Sequence, residues 1–354
     1  MGKKITLQQI ARIANVSVGT VHKALHNQKG VSPAKQEEII ALASSLNYYA
    51  SPPSLAPSKE CVVAAVFPKP IDSNRYFYQH LWNGIHGKLQ ELSAFRFQVQ
   101  DYAFEGGLAQ QLKILQEILD HHLSEIQALI TVIWNEDTCL GLLNQFTDAG
   151  VKVFTLCADA PSSKRTSTIM TNAYQSGRLA AEYMSALLPG PGRVIIVGTK
   201  RDTTNHAQIV RGFFEQMLED NPLLEIIELY ESVNYPEKLY QTLEEFLTRF
   251  PGIRGIYANN ARTTAGMCSM LDMRTWEHKP IIVGSELFEE SIAYLKKGIL
   301  HAIIDQNGYQ LGYKGISVIF EHMILKKEVR SRYILTQALY LRNNLPETEG
   351  NLDF

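Results

Sequence analysis

The apolar positions change period along the chain, and each change marks an element. In TLQQIARIANVSVGTVHKAL (residues 6–25) they fall at Leu7, Ile10, Ala11 and Ala14. After a break at Asn15 they resume at Val16, Val21, Ala24 and Leu25. This spacing predicts two short helices. The first runs from about Leu7 to Ala14 with Thr6 as its cap, and the second starts at Ser17, where an N-cap belongs. Asn15-Val16 forms the turn, because Asn tolerates left-handed geometry. The next stretch, VSPAKQEEIIALASSLNY, offers Ser32 as a cap and Pro33 at the first helical position. Its apolar positions Ile39, Ile40, Ala43 and Leu46 close a three-helix core. The arrangement is a helix-turn-helix, whose second helix would enter a DNA major groove.

From Cys61 onward short apolar runs alternate with amphipathic helices. CVVAAVF, FRFQVQDY, ALITVI and VKVFTLC read as buried strands, each followed by a helical segment. After about residue 190 the cycle restarts with RVIIVG, LLEIIELY, GIRGIYA, PIIVG and LHAIID. The fold class expected is an all-α head (1–49), a linker (50–60) and an α/β bilobal body of two doubly wound parallel sheets (61–345), with a short tail (346–354). Ligands bind such sheets at the carboxyl ends of the strands, so both lobes should face one cleft. Gly190-Pro-Gly192 precedes a strand instead of following one, which makes it a turn and not a dinucleotide fingerprint.

Composition narrows the class. The chain has 354 residues, 45% hydrophobic and 20% charged, and no apolar run long enough for a membrane span. MGKK leads into a polar helix and not an apolar export signal, so a cytoplasmic location is expected. Cys61, Cys139, Cys157 and Cys268 are scattered, and His121-His122 lacks a partner motif, so no metal site and no cofactor are expected. Residues 1–58 carry six Lys/Arg against two Glu, +4 within a chain of net charge −2, which leaves −6 on the rest. A basic head on an acidic body fits a polyanion-binding module, although solvated lysines on a small helical domain give the same count.

The head resembles the lactose-repressor (LacI/GalR) family of bacterial transcription regulators. The residues that carry the likeness are Thr6-Leu7, Ile10-Ala11, Ala14, Val16-Ser17, Thr20-Val21, Val31-Ser32 and Leu46-Asn47-Tyr48. The resemblance places Val18, Gly19 and Lys23 where bases are read. Lys23 would donate to guanine, Val18 would touch a thymine methyl, and Gly19 reads nothing by itself. His22 replaces a small hydroxyl residue and would contact a phosphate or an adjacent base. Leu7, Ser17, Thr20, His26, Ser32 and Tyr48 fall at phosphate-positioning sites. In YASPPSLAPSK (49–59) the family's hinge helix would have Leu55 as its minor-groove wedge. Pro52, Pro53 and Pro57 allow at most about one turn there, so a proline-stiffened linker fits equally well.

The body resembles the family's periplasmic-binding-protein-like domain, in particular its ribose-type sugar-binding branch. TLCADAPSSKRTSTIMTNAYQSGRLAAEYM, NHAQIVRGF, IIVGSEL and IIDQNGYQLGY carry this likeness. It implies an aromatic against a sugar face, from Tyr76, Phe77 and Tyr78, of which one or two would instead pack between lobe and helix. Asp159, with Arg165 near it, would accept from ligand hydroxyls or be an exposed loop carboxylate. His206 falls in the His…Gly-Phe segment, and Asn259, Asn260, Glu286 and Gln306 end later strands. Cys157, Ile209, Asn260 and Glu286 depart from the residues usual at their places. No nucleophile, base and orienter stand at recognisable spacing, so catalysis is not expected. The resemblance implies a homodimer on pseudo-palindromic operator DNA, controlled by a saccharide effector and acting as a repressor.

Overall fold

The computed structural model describes residues 5–25, 30–45, 60–198, 203–230, 237–250, 252–276 and 278–346. The chain divides into two compact units, a head before Cys61 and a body that takes in nearly all of the rest.

In the head, α1 (Leu7–Ile13) opens with a reciprocal cap. The Gln9 amide donates to Thr6 Oγ1 at 3.3 Å and the Thr6 amide donates to Gln9 Oε1 at 2.8 Å. Asn15, at φ 51°, turns the chain. Ser17 Oγ then accepts from the Thr20 amide at 3.0 Å, and α2 (Val18–Leu25) begins. The third helix, α3 (Pro33–Ser45), is tied to the end of α2 by Gln36 Nε2 donating to the Ala24 carbonyl at 3.3 Å. Ile10, Ala11, Ala14, Val21, Ala24, Ile39 and Ala43 form the core. Ile40, expected in that core, is 41% exposed. It follows Ile39 by one residue, about 100° around the helix, and a single residue of the pair fills the small interface.

The body begins with β1 (Cys61–Pro68), α4 (Arg75–Glu91), β2 (Phe97–Phe104), α5 (Leu108–Glu117), β3 (Ala128–Val132), α6 (Glu136–Asp148), β4 (Lys152–Cys157) and β5 (Ser167–Thr171). It continues with α7 (Ala173–Leu187), β6 (Gly192–Gly198), α8 (Thr204–Asp220), β7 (Leu224–Tyr230), α9 (Glu237–Arg249), β8 (Ile253–Ala258), α10 (Ala261–Asp272), β9 (Ile281–Ser285), α11 (Glu289–Lys296) and β10 (Ala302–Asp305). It ends with α12 (Gly308–Met323), β11 (Arg332–Leu335) and β12 (Ala338–Tyr340).

Two six-stranded sheets result. The first has the order β2-β1-β3-β4-β5-β11 and is parallel throughout. The second repeats that order as β7-β6-β8-β9-β10-β12, with only β12 antiparallel. Both sheets are covered on two faces, which is why their central strands read as continuous apolar runs.

The lobes are interleaved, not successive as the repeat near residue 190 suggested. The chain enters the second lobe at Asn172, because α7 packs on α8 and the second sheet. It returns at Asn307, because α12 packs on α4 and β4. After β11 it crosses a third time to β12. The crossings are tied together: Gln337 Nε2 donates to the Asn172 carbonyl at 2.9 Å, and Thr171 Oγ1 donates to Gln306 Oε1 at 3.2 Å. The inner strand β5 and the edge strands β11 and β12 were not legible beforehand, since STIMT, RYIL and ALY are short.

Candidate functional site

The head presents α2 with its small residues outward. Val18 is 41% exposed, and Gly19 and Lys23 are also exposed, while Val21 and Ala24 are turned into the core. Thr20 and His22 are half-buried. Ser17 Oγ and Thr20 Oγ1 lie 2.8 Å apart, so both hydroxyls are held at the start of α2. Leu7 packs against the core, and Ser32 is exposed at the start of α3. The expected contacts Val18, Gly19 and Lys23 therefore share one surface. His26, Tyr48 and Leu55 lie outside the described residues.

In the body, a cleft of roughly 710 Å³ opens at the carboxyl ends of the strands of both lobes. The first lobe contributes Phe77 and Tyr78 from α4, Trp134 after β3 and Cys157 at the end of β4. The second contributes His206 and Ile209 from α8, Asn260 before α10, Glu286 after β9 and Gln306 after β10. Trp134 Nε1 donates to Tyr78 OH at 3.3 Å, which fixes both rings. Cys157 and Glu286 occupy matching places in the two sheets. Each is a non-glycine residue at φ 69°, a conformation that persists where the surroundings enforce it.

The floor of the cleft is a hydrogen-bonded set. Gln306 Nε2 donates to Glu286 Oε1 at 2.7 Å, and the Gln306 amide donates to Glu286 Oε2 at 3.3 Å. Burial, then the charge of Asp305, pushes the Glu286 carboxyl well above its ordinary value. Asn260 Oδ1 caps α10 by accepting from the Thr263 amide at 2.9 Å, while its Nδ2 donates to Asn259 Oδ1 at 3.1 Å. Burial, then the charge of Glu286, raises Cys157, which is a thiol and not a thiolate.

Four expected site residues sit elsewhere. Tyr76 packs on Phe288 at 4.5 Å between ring centroids, joining the lobes instead of lining the cleft. Asp159 is held by Arg165 Nε on one oxygen, and by Arg332 Nη2 at 2.7 Å on the other. Arg165 also donates to the Ser331 carbonyl at 2.9 Å. Both Asp159 and Arg165 therefore serve to dock β11, the strand that carries Arg332. Asn259 is 1% exposed behind Asn260 and supports it.

Three cleft residues outside the expected set are Asn205, Trp134 and Arg262. Asn205 Nδ2 donates to the Cys157 carbonyl at 3.0 Å, a bond from lobe to lobe. Each lies within two or three residues of a strand end or a helix start, which is the positional signal that would have found it.

A helix-turn-helix head and a two-lobed body with a cleft at its strand ends, in one chain, define a ligand-controlled DNA-binding regulator. The chain belongs to the lacI family of bacterial regulatory proteins, whose pattern matches residues 6–51, and the periplasmic binding protein domain matches residues 64–328. It is a regulator and not an enzyme. No curated protein matches the sequence.

Among solved structures, the body is similar to GanP, a glucose-galactose binding protein from Geobacillus stearothermophilus. The two are 22% identical over 82% of this chain and 100% of that one, with a TM-score of 0.70. A Bacteroides fragilis protein assigned to the LacI transcriptional regulators is 17% identical, with coverage of 81% and 98% and a TM-score of 0.73. A solute binding protein from Burkholderia graminis, in complex with D-arabinose, is 18% identical, with coverage of 81% and 97% and a TM-score of 0.70. At these identities the likeness is one of fold.

Proposed function

We propose that the effector is a small saccharide or related polyol, and that a homodimer of this chain acts as a cytoplasmic repressor on a pseudo-palindromic operator. The observation that carries the reading is the pairing of two kinds of wall in one cleft. Phe77, Tyr78 and Trp134 supply aromatic faces from the first lobe, and Asn260, Glu286 and Gln306 supply polar groups from the second. An aromatic face covers the C–H side of a sugar ring, while carboxyl and amide groups meet its hydroxyls. The sugars bound by similar receptors, glucose or galactose and D-arabinose, agree with this class.

In this reading Val18 and Lys23 read base edges, and Leu7, Ser17, Thr20, His22 and Ser32 position phosphates. His26, Tyr48 and Leu55 keep the DNA roles that the family likeness implies. A single small head buries little surface, so specific binding needs two heads at a fixed half-site spacing. Effector closes the lobes about the three crossings near Asn172, Asn307 and Gln337, and the closed state changes how well two heads dock together. Such coupling amounts to roughly 1–3 kcal/mol in typical allosteric systems.

The test is a thermal-shift screen of the full chain against a sugar library, followed by operator gel shifts with and without each hit. A saccharide that raises the melting temperature and alters operator affinity supports the reading. A library without a hit, or a hit with no effect on the operator, overturns it. Light scattering that reports a strict monomer bound to a full palindrome overturns the dimer.

A further inference from the structure

Behind the cleft floor lies a second carboxyl group that the sugar-binding reading does not use. Asp305 ends β10 and is 7% exposed, and Glu286 is 4% exposed. They continue the parallel register of β9 and β10, in which Ser285 pairs with Ile304, and both line one small cavity. The two are surrounded differently. Asp305 Oδ1 accepts from the Leu287 amide at 3.0 Å and Oδ2 accepts from the Asn307 amide at 3.1 Å, just ahead of α12. Both of its oxygens thus face main-chain donors, one of them at the start of α12, a setting that favours the carboxylate. Glu286 accepts from the amide and the side chain of Gln306, and it lines both the cleft and a small cavity shared with Asp305 and His80.

Two carboxylates buried side by side on one small cavity cannot both stay ionised without a cation. The titratable groups around the pair include Tyr76 and His80 from α4, Tyr309 from α12, Cys157 from β4, Tyr257 from β8 and Tyr340 from β12. Burial lowers His80 and raises Cys157, Tyr257 and Tyr340, so none of these four is charged at neutral pH. On α11, Glu290 is paired with Arg75. Arg262 and His206 line the cleft itself.

We propose that Glu286 and Asp305 share one proton, held on Glu286 and donated to Asp305, so that the cleft floor is a neutral carboxylic acid. The charge of the pair then resides on Asp305, behind the floor. Toward the ligand, Glu286 offers uncharged acceptor lone pairs beside the Gln306 amide. The cleft therefore selects an uncharged molecule that donates a hydroxyl, and disfavours a carboxylated one. This selectivity rests on the cleft being the effector site, whereas the proton itself is observable without any effector.

The first experiment is infrared spectroscopy of the full chain at neutral pH. The wild type should show the C=O stretch of a protonated carboxylic acid, and Glu286→Gln should lack it. The second is melting temperature against pH. A carboxyl raised in the folded state keeps a proton that the unfolded chain releases, so stability falls as pH rises above the ordinary glutamate range. The wild type should lose melting temperature in that window relative to Glu286→Gln, whose amide still donates to Asp305 and does not titrate. Equal spectra, or parallel melting profiles, would overturn the shared proton. A uronic acid that stabilises the chain as well as its neutral parent sugar would overturn the selectivity while leaving the cleft as effector site.

Discussion

Arg75 of the first lobe and Glu290 of the second meet at 2.5 Å on the surface of the body, with 47% and 39% of their side chains exposed. Next to them Tyr76 lies against Phe288, Ala261 and Ala265, so the charged contact borders an apolar one. Exposed pairs of this kind contribute roughly 0–1 kcal/mol and are screened by salt. Glu290→Ala should therefore shift effector affinity less than about fivefold, and the shift should vanish at high salt. Tyr76→Ala, which removes buried apolar contact, should shift it further and independently of salt. Calorimetry at two salt concentrations checks both. A salt-independent effect of Glu290→Ala would mean that the pair acts through packing.

Asp159 offers a contrast, since its side chain and that of Arg165 are 10% and 9% exposed. Burial pushes the Asp159 carboxyl up, but the hydrogen bonds from Arg165 and Arg332 outweigh it and hold the group below its ordinary 3.8. A depressed carboxyl stabilises the fold above its unfolded-state value, and the contribution is lost as pH falls through the folded one. Asp159→Asn should thus lower stability at neutral pH and flatten the acid limb of the unfolding curve. Effector binding should stay unchanged, whereas Gln306→Ala weakens it about tenfold or more by leaving Glu286 short of a donor. Loss of effector binding in Asp159→Asn at full folding would move Asp159 into the site.

Backbone contact between helices sets a further expectation. A Cβ added to Gly84 on α4 would lie 2.0 Å from the Tyr309 carbonyl oxygen on α12, and one on Gly177 of α7 would lie 1.9 Å from the Ile209 carbonyl on α8. Gly84→Ala and Gly177→Ala should each cost about 1–3 kcal/mol or more, as overpacking does. Gly141, within α6 with nothing near its Cβ position, should instead gain about 0.5–1 kcal/mol on change to Ala. Urea denaturation of the three variants compares them directly, and a neutral Gly84→Ala would show that the helices can part without cost.

Lys23 is exposed on α2 beside Val18 and Gly19. Lys23→Ala should lose discrimination at one operator base pair, by about 1–3 kcal/mol, with little change elsewhere. Uniform weakening across operator variants, with a reduced salt slope, would identify Lys23 as a phosphate contact.

What the sequence by itself determined is local. The head was readable because the Thr6 cap, the Asn15 turn and the Ser17 cap each act within three residues, and its core follows one helical period. The central strands were readable because a strand buried on both faces is apolar throughout. Glu286, Gln306 and Asn260 could be placed at the cleft because parallel sheets bring the carboxyl ends of their strands to it. Tertiary structure decided what depends on distant partners. Asp159 is engaged by an arginine 173 residues away, so its local spacing said nothing of that bond. Tyr76 faces Phe288 because α4 starts at the lobe junction, which no periodicity reports. The interleaving of the lobes rests on α12 returning to α4, where glycines admit helix against helix. Asp305 becomes the partner of Glu286 only when β9 and β10 lie side by side, for burial and charge act through space and not along the chain.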